Sequence, residues 1–240
     1  MIYKNQNIYG YSVGILVIEG YFPRLPGAIG NATTFDFPVY CRVVKGGTGS
    51  KVVRDTGQDV LDMFIKECKW LEEFGVRSIT TSCGFTAKYQ KELADSVNIP
   101  VFASSLLLAP LLYSFLKQNE KVGIITADFH YITDDHYKGV GIDKSRVVTV
   151  GLEDYTEFTD VVFNDRKGMD VNKIEDEVVD AALMLVKNNP DVKTILLECS
   201  LLPPFARAVQ EAVQLPVYDF TSLINFAHSG FIRKDFVGYF

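Results

Sequence analysis

The strongest constraint on how this 240-residue chain can fold is that it repeats itself. Sliding the sequence by 116 positions lays Cys83, in Ile79-Thr80-Thr81-Ser82-Cys83-Gly84-Phe85, on Cys199, in Ile195-Leu196-Leu197-Glu198-Cys199-Ser200. The register then holds without a gap: Tyr89 meets Phe205, Leu93 meets Val209, and Ile99-Pro100-Val101-Phe102 meets Leu215-Pro216-Val217-Tyr218. A second match, at a shift of 109, sets Val13-Gly14-Ile15 and Glu19 on Val122-Gly123-Ile124 and Asp128. Each half therefore carries an apolar first strand with an acidic end and a second strand that ends on a thiol. Two units of about 110 to 120 residues each are long enough to bury a core.

The local patterns fit that duplication. Ser12–Ile18 and Lys121–Asp128 are continuous apolar runs, short enough for parallel strands buried on both faces. Helical spacing and stop signals predict a helix capped by Asp55 or Thr56 and ending at Phe74 before Gly75, and helices over Thr86–Val97, Leu106–Lys117 and Val171–Asn188. Strands are expected at Val76–Thr81, Ile99–Ala103, Val147–Val150 and Lys193–Leu197, and a helix just after Pro203-Pro204. Val39–Lys45 and Lys51–Arg54, flanking Gly46-Gly47-Thr48-Gly49-Ser50, read as a hairpin. Alternating strands and helices imply an α/β fold with a parallel sheet in each half. The division is expected at 1–106 for the unit carrying Cys83, completed by 218–240, and 107–217 for the unit carrying Cys199.

Composition narrows the function. A formal charge of −6 and the lack of a basic cluster argue against nucleic acid or an anionic membrane as partner. The N-terminal Met-Ile-Tyr-Lys-Asn-Gln-Asn lacks a signal-peptide pattern and no apolar run reaches membrane-spanning length, so a cytoplasmic location is expected. Cys41, Cys68, Cys83 and Cys199 show no Cys-x-x-Cys spacing, and His130, His136 and His228 are scattered, so no metal is expected. A thiol at a strand end just before a helix meets free backbone N–H groups and the positive end of the helix dipole. Those groups are expected to favour thiolate and to hold a carboxylate. Two thiols so placed suit proton transfer by two bases.

On these two thiol motifs the chain resembles the aspartate/glutamate racemase superfamily, which includes hydantoin racemases, in a poorly defined branch that shares the Phe22-Pro23-Arg24 to Phe37-Pro38 loop. The resemblance implies two pseudo-symmetric, flavodoxin-like parallel-sheet domains with the active site in the cleft between them. It further implies a cofactor-independent racemase or epimerase, an isomerase, acting on a small amino-acid-like carboxylate. Cys83 and Cys199 would be its catalytic acid and base. The carbanion then needs electrostatic stabilisation. The candidates are the backbone at Gly84 and Phe85 with Thr81, Ser82, Ser104, Thr126 and Ser200, and Arg24 in the loop over the crevice would grip a carboxylate. The family's usual Cys-Asn-Thr and Gly-Cys-Thr are here Cys83-Gly84-Phe85 and Glu198-Cys199-Ser200, which points away from aspartate and glutamate as substrates. Glu198 either faces inward, raising the thiol pKa, or outward as a structural residue. Three alternatives stay open: a superfamily decarboxylase, a cis–trans isomerase of a small diacid, and a non-catalytic small-molecule binding protein on the same scaffold. A homodimer or higher homo-oligomer is also left open.

Overall fold

Duplication in the sequence becomes duplication of a sheet. The structure, a computed structural model, describes residues 6, 8–54, 57–164, 166 and 168–239. In the first half β1 (Val13–Glu19), β2 (Val39–Thr48), β3 (Ser78–Thr81) and β4 (Val101–Phe102) form one parallel sheet in the order β2-β1-β3-β4. In the second, β5 (Lys121–Thr126), β6 (Val147–Gly151), β7 (Val192–Leu197) and β8 (Val217–Tyr218) repeat it as β6-β5-β7-β8. This is the start of the flavodoxin-like strand order. The central strands β1 and β5 are buried almost throughout, which is why both read as unbroken apolar runs.

Nine helices connect and cover the strands among the described residues. They are α1 (Gly49–Arg54), α2 (Gln58–Phe74), α3 (Gln90–Asp95), α4 (Leu108–Ser114), α5 (Asp134–Gly139), α6 (Thr156–Val162), α7 (Val171–Asn188), α8 (Ala206–Val213) and α9 (Phe220–Phe231). The long helices α2 and α7 bury one stripe each, Val60, Phe64, Cys68 and Leu71 in α2 and Ile174, Val178, Ala181 and Leu185 in α7. The repeated Val-Gly-Ile has a packing cause. A Cβ on Gly14 would lie 3.0 Å from Leu71 Cδ1, and one on Gly123 would lie 2.7 Å from Leu185 Cδ2. At either position a side chain would press on the leucine that the covering helix lays against the central strand. At the end of the chain, Phe220 and Ile224 of α9 return to cover Val13, Ile15 and Val17 of β1.

Several expectations are corrected. The hairpin at Val39–Arg54 does not form: Val39 to Val44 pair in parallel with Val13 to Ile18, and the chain after Thr48 enters α1. The glycine cluster makes a bulge, with Gly46 at φ +80, that lets Thr48 pair with Glu19. Helix α2 begins at Gln58 after Gly57, with no side-chain cap, and Asp55 and Thr56 lie outside the described residues. Thr86–Val97 and Leu106–Lys117 each start as a 3₁₀ turn, Gly84–Tyr89 and Ser105–Leu107, before the shorter α3 and α4. No helix among the described residues is long and apolar enough to cross a membrane.

Candidate active site

The two thiol strands end alike. Ser82 N–H donates to Leu16 O on the central strand at 2.8 Å, and its repeat equivalent Glu198 N–H donates to Ile125 O, also at 2.8 Å. Beyond these bonds each chain turns away from its sheet, and the two turns meet. Ser200 Oγ donates to Ser82 O at 2.7 Å, and Ser105 Oγ reaches Leu197 O and Glu198 O at 3.2 Å each. Cys83 and Cys199 consequently line one narrow pocket. Ile18, Phe22, Val53, Val162 and Leu201 supply its apolar wall, and Ser82, Gly84, Phe85, Glu198 and Ser200 complete it.

Of the polar residues expected here, Ser82, Gly84, Phe85 and Ser200 stand on the pocket wall, whereas Thr81, Ser104 and Thr126 lie behind it. The hydroxyls all have partners within the protein. Thr81 Oγ1 bonds Ala103 O at 2.7 Å and accepts from Cys83 N–H at 3.2 Å, fixing the turn that carries the thiol. Ser82 Oγ accepts from Ile18 N–H at 2.9 Å, and Ser104 Oγ caps its own turn by accepting from Leu106 N–H at 3.2 Å. Thr126 donates to Glu198 Oε2 at 2.7 Å. These serines and threonines build the site rather than line it with free donors.

Arg24 is held by a loop made of successive turns, with Asn31 Nδ2 donating to Arg24 O at 2.7 Å. Its guanidinium lies 4.8 Å over the Phe22 ring and donates to Ile18 O at 3.1 Å. Its arm passes Gly30, where a Cβ would lie 2.6 Å from Arg24 Cδ. Burial lowers the Arg24 pKa, while the thiols of Cys41 and Cys199 in its field raise it. Arginine nonetheless stays cationic. Its charge thus falls on Cys199 without Arg24 standing on the pocket wall.

Glu198 faces inward and is fully buried. Its Oε2 accepts from Thr126, and its Oε1 has no hydrogen-bond partner. A Cβ on Gly84 would overlap this carboxylate. The two departures from the family motif are therefore one feature: the glycine beside the first thiol makes the space that the glutamate beside the second thiol fills. Burial pushes the Glu198 carboxyl up to about 7. The expectation of easily ionised thiols is corrected as well. Burial, then the Glu198 charge, holds Cys83 well above the ordinary thiol range and pushes Cys199 up to about 12. The helix-terminus effect survives only as a backbone N–H to each thiol, from Phe85 and Leu201, and desolvation outweighs it.

Sequence reasoning missed the seam on the far side of Phe85. His136, on α5 of the second half, lies edge-on to the Phe85 ring at 5.4 Å and is wholly buried. Gly139 of the same helix packs on the backbone at Ala87 so closely that a Cβ would overlap it. The one signal was the Thr133-x-x-His136 capping box that starts α5. Asp128, His130 and Glu153 bring ligand-type atoms within 4.8 Å of one another, which their spacing did not reveal. They lie off the pocket wall; Asp128 pairs with Arg54 at 3.6 Å, and Glu153 accepts from Phe129 N–H at 2.9 Å. Glu19 likewise caps a loop, accepting from Gly46 N–H at 2.9 Å.

Two flavodoxin-like halves in tandem are the fold of the aspartate/glutamate racemase superfamily, and the chain has that fold. It superposes on a glutamate racemase isoform from Bacillus anthracis with TM-score 0.58 and 14% identity, covering 92% of this chain and 81% of that one. On a mutant of arylmalonate decarboxylase the TM-score is 0.57 at 16% identity, covering 91% and 94%. No protein-family model matches the chain. By sequence it is 31% identical over 242 residues to a dimethylsulfoniopropionate lyase of Durusdinium sp. clade D, covering 95% of this chain and 78% of that protein. It is also 31% identical over 224 residues to dimethylsulfoniopropionate lyases 7 and 3 of Emiliania huxleyi, which covers 89% of this chain but 65% and 58% of theirs. The chain belongs to the dimethylsulfoniopropionate lyase family. The expected racemase or epimerase, and with it the isomerase class, is overturned by these relatives, which are named as lyases.

Proposed function

We propose that the chain is a lyase that cleaves dimethylsulfoniopropionate by β-elimination, with Cys199 as the base. Family membership supports the reaction class, and the observation that carries the mechanism is that both thiols open on one largely apolar pocket with the Arg24 charge on the Cys199 side. Racemisation and this elimination begin alike, with a thiolate removing the proton α to a carboxylate. They differ in where the electron pair goes. In the substrate named by the relatives, a dimethylsulfonio group sits on the carbon next to the one that loses its proton. The C–H pair forms the C=C bond of acrylate, the C–S pair leaves with sulfur as neutral dimethyl sulfide, and the base keeps the proton.

This elimination needs one base and no acid, because a sulfonium departs without protonation. Cys199 has the better claim. Burial and the Glu198 charge oppose both thiolates, but Arg24 and the Leu201 N–H favour that of Cys199, whereas Cys83 has the Phe85 N–H alone and the Cys199 charge against it as well. Arg24, whose charge reaches Cys199, is the group we assign to the substrate carboxylate, with Ser82 and Ser200 shaping the wall between the thiols. Free thiols call for a reducing compartment, and on that ground we place the protein in the cytoplasm. The test is direct: purified protein with dimethylsulfoniopropionate should release dimethyl sulfide, by headspace gas chromatography, and acrylate, by NMR, in equal amounts. Folded protein that releases neither would overturn the reading.

A further inference from the structure

We infer that Glu198 is the residue by which this pocket selects a positively charged substrate, its carboxylate standing as the counter-charge to an alkylated onium group. The inference rests on the lyase reading for the kind of ligand, but its grounds are geometric. Glu198 is fully buried on the pocket wall, and one carboxylate oxygen is held by Thr126 while the other has no hydrogen-bond partner. None of the ion pairs among the described residues includes it. A buried carboxylate with no counter-cation is costly, and proteins keep such groups where a partner arrives.

The surroundings say which partner. A lysine-like or ammonium ligand would need several acceptors for its N–H groups, but the pocket that Glu198 lines is mostly apolar, with Ile18, Phe22, Val162 and Leu201 on its wall, and its Ser82 and Ser200 hydroxyls are already bonded within the protein. Methyl groups around a positive sulfur or nitrogen pack on such a wall and ask only for a charge, which the free oxygen supplies. Arg24, whose field reaches Cys199, leaves the opposite sign for the other end of the ligand. The site is thus polarised to match a zwitterion, carboxylate towards Arg24 and onium towards Glu198. Once dimethyl sulfide departs, the counter-charge is lost and Glu198 regains its preference for a proton.

The test measures binding, not turnover. By calorimetry on the intact protein, 3-(trimethylammonio)propanoate is compared with its uncharged-end isostere 4,4-dimethylpentanoate. At pH 8 the wild type should prefer the onium ligand by ~10-fold or more, as expected for an ion pair shielded from water, and Glu198→Gln should bring the ratio close to one. In the wild type the preference should fade between pH 8 and pH 6. The other titratable groups facing Glu198 are Cys83, Cys199 and Tyr137, all raised by burial, with Arg24 charged throughout, so Glu198 alone titrates in that window. This pH series needs no variant, so it stands even if Glu198→Gln fails to fold. An onium preference that survives Glu198→Gln or is flat with pH would overturn the assignment, as would a wild type that binds neither ligand. A Glu198-dependent preference without any dimethyl sulfide release would keep the assignment and refute the lyase reading.

Discussion

Substituting Gly84 by alanine tests whether the two thiol turns were built for each other. The new Cβ would overlap the Glu198 carboxylate, which is fully buried and anchored by Thr126 at 2.7 Å. Because Glu198 is buried and tied to Thr126, either the turn shifts or the Thr126 bond breaks. Overpacking of this kind costs about 1–3 kcal/mol. Losing a charged hydrogen bond costs roughly 1.5–3 kcal/mol. Taking the two as alternatives that partly overlap gives about 2–4 kcal/mol, or a fall in Tm of roughly 5–15 °C for a chain of this size. Glu198→Ala should rescue it, because alanine removes every atom that the Cβ would meet. Urea denaturation followed by fluorescence of the single tryptophan, Trp70, would give the double-mutant cycle, with a favourable coupling of about 2 kcal/mol. Gly230→Ala on α9, where nothing lies within 4 Å, serves as the control and should be neutral or slightly stabilising. Additive effects, or a Gly84→Ala loss below about 0.5 kcal/mol, would refute the packing argument.

Three further outcomes are expected. Cys199→Ser should lower dimethyl sulfide release by ~10³-fold or more, as loss of a general base does, while Cys83→Ser, measured in the same assay, should keep activity within ~100-fold. Equal loss in both would return the mechanism to two essential thiols. Arg24→Lys keeps the charge but not the fork and should raise KM more than it lowers kcat, by roughly tenfold, in steady-state kinetics. The stability of the protein should also depend on Glu198. With its carboxyl raised from 4.5 to about 7, the native state holds a proton that the unfolded chain has already released across that interval. Stability is therefore full at low pH and falls as pH rises from about 4.5 to 7. Glu198→Gln removes that slope, so its advantage over the wild type in urea denaturation should grow by roughly 2–3 kcal/mol from pH 5 to pH 8.

What the sequence disclosed was whatever is written locally or repeated. β1, β5 and α7 are legible because burial on two faces and a helical stripe both leave a pattern in consecutive residues. The paired thiols are legible because the repeat puts Cys83 and Cys199 in one register. The misread hairpin shows the limit. Gly46 to Gly49 looks like a local turn, whereas the true partner of β2 is β1, some 26 residues upstream and invisible to any short window. Glu198 was undecidable for a related reason. Strand β7 ends at Leu197, so alternation no longer governs the next side chain, and its inward direction is set by Thr126 and by the space at Gly84. Because elimination and racemisation both begin by removing an α-proton with a thiolate, the residues favoured a racemase and left a lyase only among the alternatives, as a superfamily decarboxylase. The thiols report the proton, not the fate of the electron pair.

The fit of Glu198 against Gly84 also constrains how such a pocket arises by single substitutions. A Cβ at position 84 would overlap the Glu198 carboxylate where it now lies, so by single substitutions the easier route empties position 84 before it fills position 198. The intermediate, with glycine at both places, would have a roomier pocket and no buried charge. Read the other way, the pair is a two-letter signature. In an uncharacterised chain of this fold, a glutamate just before the second thiol predicts a glycine just after the first, 114 positions earlier in this sequence, and the two together mark a pocket with a negative wall.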